Sequence, residues 1–231
     1  MNKILKLKEI IDNSKHIVFF TGAGISVPSG IPDFRSANGL YTNNLRAEEI
    51  LSHHYFVNHP KEFYEFYFKN MVFEDAKANL AHNFIKDLAK EKDVSVVTQN
   101  IDGLHGNEKV YELHGSIYRN HCTKCHKAYK LDDIKDKYPP YCSCGGIIKP
   151  DVVLYEEALD EKVIYSAINA IANADALIII GTSLNVYPAA SFIRYFRGDS
   201  VVVINKDNNN AQADLVINDD IINVINEYQK L

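Results

Sequence analysis

The strongest constraint on this chain lies near its start. The apolar run Ile17-Val18-Phe19-Phe20 stops at Thr21 and passes directly into Gly22-Ala23-Gly24-Ile25-Ser26-Val27-Pro28-Ser29-Gly30-Ile31-Pro32-Asp33-Phe34-Arg35-Ser36. A β-branched and aromatic run ending in Gly-x-Gly is how a strand hands over to a phosphate-binding turn. The glycines let the backbone approach a pyrophosphate, whose charge then sits against the N–H groups of the next helix. The third glycine of the usual G-x-G-x-x-G is replaced by Val27, so the glycine spacing also suits a plain tight turn. Pro28 and Pro32 limit the loop's conformations, and Asp33, Phe34 and Arg35 set an acid, an aromatic and a base beside it. A core phenylalanine flanked by a surface ion pair would leave a long Gly- and Pro-punctuated loop without a purpose.

Further along, apolar runs repeatedly end in small polar clusters. Residues 94–97 lead to Thr98-Gln99-Asn100-Ile101-Asp102-Gly103-Leu104-His105, and residues 110–113 deliver His114-Gly115. The fully apolar run Ala176–Ile180 ends in Gly181-Thr182-Ser183, residues 201–204 end in Asn205-Lys206-Asp207, and residues 213–217 form the last expected strand. Helices are expected from Ile4, Leu5, Leu7, Ile10 and Ile11, over 81–90, 160–173 and 219–230, and in a helix opened by residues 186–190 with Pro188 near its start. Strands alternating with helices imply a doubly wound, Rossmann-like α/β sheet, whose strand ends face a ligand crevice. Turn chemistry can explain Asn100 or Asp102 alone, and one histidine among nine is a weak sign of catalysis. Four strand ends with the same character are harder to dismiss.

Between the first two strands, residues 37–80 are rich in aromatics. Phe63, Phe66 and Tyr67 share one helical face, and Tyr64 and Phe68 another, which reads as an aromatic core. Residues 36–44 lack periodicity and are expected to form a mobile loop over the Gly-rich turn.

All four cysteines fall in two close pairs, Cys122/Cys125 and Cys142/Cys144. Their spacing fits a tetrahedral Cys₄ zinc site that substitutes for a missing hydrophobic core in a short segment. Four thiolates leave no open position for water, so the expected zinc is structural rather than catalytic.

The net charge of −5 argues against a general nucleic-acid binder. Lys124, Lys127, Lys130, Lys135 and Lys137 are interleaved with Asp132, Asp133 and Asp136 in the cysteine segment. The basic and apolar start is followed at once by Glu9 and Asp12 rather than by a long apolar core, and no run reaches membrane-spanning length. A cytoplasmic protein without membrane or direct nucleic-acid partners is expected; oligomeric state leaves no mark in the pattern.

Taken together, Gly22-Ala23-Gly24-Ile25-Ser26, Ser29 to Arg35, Thr98 to Asp102, His114-Gly115, the four cysteines, Lys149-Pro150-Asp151-Val152-Val153, Gly181-Thr182-Ser183 and Ile204-Asn205 resemble the sirtuins over nearly the full length. The resemblance implies NAD-dependent protein-lysine deacylation, with acyl-lysine proteins or peptides as substrates, NAD as co-substrate and zinc as structural metal. It implies a large Rossmann-like domain (1–36, 81–118 and 150–231) and a small domain formed by a cofactor loop and helical insertion (37–80) with a zinc ribbon (119–149).

By the same resemblance, Ala23, Gly24, Arg35, Thr182 and Ser183 would lie near the phosphates. Ile31, Phe34, Asn100, Ile101 and Asp102 would surround nicotinamide, with Asn100 catalytic, and Gly22, Asp33 and Gly181 would also bind the cofactor. Gln99 would lie at the nicotinamide ribose, and Asn205 and, by a weaker match, Asp220 at the adenosine end. His114 would be the general base. Val153, Leu154, Tyr155 and Glu156 on one side, and Asn185, Val186 and Tyr187 on the other, would hold the peptide as a strand.

Two departures stand out. Glu156 replaces a glycine common in the family, which puts the local peptide grip in question and would favour basic flanking residues. A Tyr-x-x-Arg pair that holds acidic acyl groups in some relatives corresponds here to Tyr64 and Tyr67, without arginine, so neutral acyl groups are expected. Protein ADP-ribosyl transfer is the alternative activity.

Overall fold

A computed structural model describes residues 2–34, 39–40, 46–184, 186–206 and 213–231. The expected loop at 36–44 lies almost wholly outside them. The apolar runs become a six-stranded, all-parallel sheet in the order β3-β2-β1-β7-β8-β9. Its strands are β1 (His16–Thr21), β2 (Asp93–Thr98), β3 (Val110–Glu112), β7 (Ala176–Ile180), β8 (Ser200–Ile204) and β9 (Leu215–Ile217). β4 (Gly115–Cys122), β5 (Ala128–Lys130) and β6 (Ile148–Val152) form a separate antiparallel sheet in the order β5-β4-β6.

Helices cover both faces of the large sheet. Helix α1 (Lys3–Asn13) starts at Asn2, whose side chain accepts from the Ile4 N–H at 2.9 Å, and it buries Ile4, Leu7, Ile10 and Ile11. Leu5, expected on that face, is exposed because it falls outside the i, i+3, i+7 stripe. These side chains pack with Ile17, Phe19, Ile178, Val202 and with Ile85, Val224 and Ile225 of later helices. On the other face Val18, Phe20, Leu177 and Ile179 meet Ala167, Ile171 and Phe192. Alternate residues of the same strands thus feed two cores, as strand geometry requires.

A third core unites the aromatic helices with the small sheet. Helices α2 (Ala47–Ile50), α3 (His53–Asn58) and α4 (Pro60–Asn70) precede α5 (Leu80–Leu88). Phe56, Phe63, Tyr64 and Tyr67 pack against Ile117, Ile148 and Leu154, with α6 (Leu131–Ile134) closing the edge. The Phe56 and Phe63 rings meet edge-on at 5.1 Å. β4 and β6 cross the expected boundaries at 118/119 and 149/150, so the two strands carry the chain between units as a pair. Helices α7 (Glu161–Ala172) and α8 (Ile221–Tyr228) complete the large unit. None of the described helices is long and apolar enough to cross a membrane.

The register decides where the site lies. Thr21 pairs with Thr98 and Ile180, and Ile180 with Ile204, so the ends of β2, β1, β7 and β8 lie in one row. β1 is also the point where chain order reverses, the place at which such sheets bind ligands. The next residues, Gln99, Gly22, Gly181 and Asn205, are separated in sequence but adjacent in space.

The segment after β1 is not the α-helix expected from a phosphate-binding turn. It is a 3₁₀ helix, Ala23–Ser29, with Pro28 inside it and left-handed Gly30 ending it. Another 3₁₀ helix, Ala189–Tyr195, follows Pro188 where a helix was expected.

Gly24 and Gly181 are needed for contact between turns. The Gly24 N–H donates to the Gly181 carbonyl at 2.8 Å, and a Cβ on Gly24 would lie 2.7 Å from Gly181 Cα. Gly181 has φ +62, and its Cβ would lie 2.4 Å from the Ile25 nitrogen. Gly181→Ala is expected to destabilise the fold by at least about 1–2 kcal/mol from the left-handed backbone alone. That corresponds to a melting temperature lower by about 2 °C or more, measurable by calorimetry; an unchanged melting temperature would contradict it.

Candidate functional site

The row of strand ends opens into a cavity of about 580 Å³, within the range of about 300–1,000 Å³ usual for small-molecule sites. Gly22, Ala23, Gly24, Ile31, Asp33, Phe34, Gln99, Asn100, Ile101, Asp102, His114, Gly181, Thr182, Ser183 and Asn205 line it, as do Val153, Leu154, Tyr155, Glu156, Val186 and Tyr187. Thus residues expected to hold a dinucleotide and residues expected to hold a peptide share one cavity. Arg35 and Asn185 lie outside the described residues. Asp220 does not line the cavity: its carboxylate caps α8 by accepting from the Ile222 N–H at 2.7 Å and pairs with Lys206 at 2.8 Å.

The strand ends are tied to each other by side chains. Gln99 Nε2 donates to Thr182 Oγ1 at 3.0 Å, and Asn205 Nδ2 to the Thr182 carbonyl at 3.3 Å. Ser26, not singled out from the sequence, joins two expected residues. Asn100 Nδ2 donates to Ser26 Oγ at 3.0 Å, and the Ser26 hydroxyl donates to Asp102 Oδ2 at 2.7 Å. All three side chains are buried, and Asp102 Oδ1 also accepts from the Leu104 N–H at 2.9 Å. A buried carboxylate held by several donors is a fixed electrostatic feature. Only the Ser in the Gly-rich stretch signalled this role, and serine is too common in turns to be read alone.

His114 is placed by the end of β2. Its Nδ1 lies 2.8 Å from the Gln99 carbonyl, which can only accept, so Nδ1 carries the proton and Nε2 is the basic nitrogen. Burial pushes its pKa below the ordinary histidine value, while the bond to Gln99 partly opposes that shift. A second pair, His82 and His105, packs at 4.8 Å between ring centroids, with His105 Nε2 3.0 Å from Thr21 Oγ1. Burial, aided by His82, pushes His105 down to about 3, so it is neutral beneath the end of β1.

At the peptide-expected edge, Glu156 has φ +75, where glycine is favoured. Its Oε2 accepts from the His54 N–H at 2.9 Å at the start of α3. The carboxylate therefore caps a helix, a contact that offsets part of a backbone cost of about 1–2 kcal/mol. Tyr64 and Tyr67, matched to the acid-binding pair of some relatives, do not line the cavity but are fully buried in the aromatic core. The Tyr64 hydroxyl donates to the Ile148 carbonyl. Leu40, Leu51, Asn70, Met71 and Phe73 line the cavity instead, and no local pattern separates them from core residues. Among the described lining residues there is no lysine or arginine.

The cysteines converge as expected. Cys122 ends β4 and the second pair precedes β6; the four sulfur atoms lie within 4.8 Å of one another. Cys122 Sγ is 3.4 Å from Cys144 Sγ, and Cys125 Sγ is 3.6 Å from Cys142 Sγ. Ligands at about 2.3 Å around tetrahedral zinc would be about 3.8 Å apart, so the donor set and its spacing fit structural zinc. The Cys144 N–H and then the Tyr129 hydroxyl favour the Cys142 thiolate, lowering its pKa to about 5.

Fold and site define a class: an α/β nucleotide-binding protein with a four-thiolate knuckle beside its ligand cleft. A family model described as the Sir2 family matches residues 22–188. A relative from Clostridium perfringens, an NAD-dependent protein deacetylase, is 53% identical, and one of the same description from Clostridium acetobutylicum is 50% identical. Each alignment covers 97% of this chain and 97% of the relative. A solved Sir2 structure with a propionylated peptide superposes with a TM-score of 0.87 at 33% identity, covering 100% of this chain and 98% of that one. The chain belongs to the Sir2 family, the sirtuins.

Metal analysis is expected to find one zinc per chain, and chelation to melt the small sheet and lower the thermal midpoint. Full stability after complete removal of metal would contradict a structural role. Because burial disfavours the imidazolium, the His114 base form should persist to lower pH than usual. Its NMR titration is expected below the ordinary value of 6.5, and a midpoint above that would contradict the assigned environment.

Proposed function

We propose that this protein is an NAD-dependent protein-lysine deacetylase in which His114 is the general base. The carrying observation is the fixed tautomer of His114 on a cavity that also contains Gly22–Gly24, Asn100 and Asp102. Relatives matched at 50% and 53% identity over nearly the full length are NAD-dependent protein deacetylases, which supports the reaction class.

When bound, NAD would supply the electrophilic anomeric carbon, with nicotinamide as its leaving group and the acyl oxygen of the lysine substrate as nucleophile. The backbone of Gly22, Ala23 and Gly24, with Gly181, Thr182 and Ser183, would hold the phosphates, and Arg35 would add charge there. Ile31, Asp33, Phe34, Ile101 and the Asn100–Ser26–Asp102 chain would hold nicotinamide in a dry, oriented pocket. Gln99 would meet the adjoining ribose, Asn205 the adenosine end, and Asp220 would support that end through its cap and ion pair. His114 Nε2 would take the proton from a ribose hydroxyl, helped by a pKa that keeps it neutral near pH 7. That ribose oxygen would attack the acyl carbon, and the lysine amine would leave with a proton. One water would add to the resulting acyl-ribose cation, giving free lysine, nicotinamide and O-acyl-ADP-ribose.

Val153 to Glu156, with Asn185, Val186 and Tyr187, would bind the peptide by main-chain pairing. The engagement of Glu156 with α3 supports a structural part for it and occupies one of its carboxylate oxygens. A succinyl or malonyl carboxylate would find no cation among the described lining residues, whereas acetyl has no charge to satisfy.

Nicotinamide release from NAD is expected to require an acetyl-lysine peptide and to yield O-acetyl-ADP-ribose. His114→Ala should slow turnover by about 10²–10⁴-fold, the usual range for a general base. Release without peptide, together with transfer of label from NAD to protein, would instead support ADP-ribosyl transfer. In a second assay, acetyl-lysine peptide should be turned over at least about tenfold faster than succinyl-lysine peptide, a difference of about 1.4 kcal/mol. Equal rates would refute the preference for neutral acyl groups.

A further inference from the structure

The residues that frame the peptide-expected edge are held by one carboxylate that touches three parts of the chain. Glu157 Oε2 accepts from the Leu154 N–H at 2.9 Å and lies 2.9 Å from Lys149 Nζ, while Glu157 Oε1 lies 2.8 Å from His53 Nδ1. The carboxylate can only accept from these groups when ionised, so both side chains donate to it. Lys149 comes from β6 and His53 opens α3; the Leu154 amide belongs to the turn itself.

Lys149 has no spare hydrogen. Besides Glu157, its ammonium donates to the Pro150 carbonyl at 3.1 Å and the Val152 carbonyl at 3.0 Å. It is buried, and three donors meet three acceptors. A buried ammonium needs an anionic partner, and Glu157 supplies it. On the neighbouring turn the Tyr155 N–H donates to the Leu51 carbonyl and the His53 N–H to the Tyr155 carbonyl, both at 3.0 Å. Glu157, which itself reaches the cavity wall, thus fixes the backbone that includes left-handed Glu156 and that lines the cavity at Val153, Leu154 and Tyr155.

We propose that Glu157, clamped by Lys149 and His53, is a positioning residue for the acyl-lysine peptide: it sets the shape of the 153–156 edge without acting on NAD or on the reacting atoms. The inference rests on the deacetylase reading for the identity of the ligand. Among the described residues, the polar contacts of the Glu157 carboxylate run to β6, α3 and its own turn, and none to the row of strand ends at Gly22, Gln99, Gly181 and Asn205. Loss of the clamp should therefore weaken peptide binding and spare the dinucleotide end.

The test uses the zinc-loaded protein and three variants, Glu157→Gln, His53→Ala and the two substitutions combined. Binding of a fluorescent acetyl-lysine peptide is measured by anisotropy, binding of ADP-ribose by calorimetry, and KM and kcat from nicotinamide release. Glu157→Gln is expected to raise peptide Kd and KM at least tenfold, with ADP-ribose affinity and kcat at saturating peptide within twofold of wild type. His53→Ala leaves no unpaired buried charge and is expected to raise peptide Kd about two- to fivefold. It should have no added effect on top of Glu157→Gln, because its contact acts through that carboxylate.

Peptide affinity unchanged in both Glu157→Gln and His53→Ala would overturn the proposal. So would equal losses of peptide and ADP-ribose affinity in His53→Ala, or full additivity of the two substitutions. If Glu157→Gln fails to fold, the His53→Ala arm alone decides. Wild-type protein that binds the peptide but releases no nicotinamide would sink the deacetylase reading while leaving the positioning role standing. Wild-type protein that does not bind the peptide would overturn both.

Discussion

The contact between the turns after β1 and β7 is the constraint on which the rest depends. The Gly24 N–H reaches the Gly181 carbonyl because neither residue carries a Cβ, and the Gly22 N–H reaches the Ile180 carbonyl beside it at 3.1 Å. Those bonds hold the two halves of the parallel sheet together at the point where strand order reverses. Moving the turns apart would displace Gln99, Thr182 and Asn205, which are bonded across the same seam. The crevice is thus a consequence of how the backbone closes, and the side chains that line it inherit their places from the register.

The second constraint is polar burial. Asn100, Ser26 and Asp102 are taken out of water as a bonded series, and the His114 ring is held by a backbone carbonyl. Groups buried this way cannot turn toward water when a ligand arrives, so the site is organised in advance. The small unit reaches the same end by other means. An aromatic core carries its helices, four thiolates fit the metal that would tie its sheet, and the ionised clamp on Lys149 carries its edge into the cleft.

Much of this was legible from residues alone. The parallel strands, the polar strand ends, the aromatic core and the cysteine knuckle each leave a local pattern: apolar runs, small-residue turns, helical spacing and paired thiols. The misses have local explanations too. Pro28 and the left-handed Gly30 make the first turn a 3₁₀ segment, which glycine spacing cannot show. Tyr64 and Tyr67 were matched by position to cavity residues, but the helix rotates both into the core. That the Glu156 carboxylate meets the start of α3 is a contact between segments that no local pattern shows.

Local patterns specify the kinds of element and the chemistry available at their ends, because periodicity, glycine and thiol pairs act over a few residues. Which ends meet is settled by tertiary packing. Pairing Thr21 with Thr98 and Ile180, and Ile180 with Ile204, brings residues as distant as Gly22 and Asn205 to one wall. It also decided that Ser26 bridges Asn100 and Asp102 and that Lys149 and His53 share Glu157. Such contacts depend on strand register and on how two cores are set against each other. No short stretch of sequence contains that information, since the partners are fixed by packing and by the cost of leaving buried charges and donors unmatched.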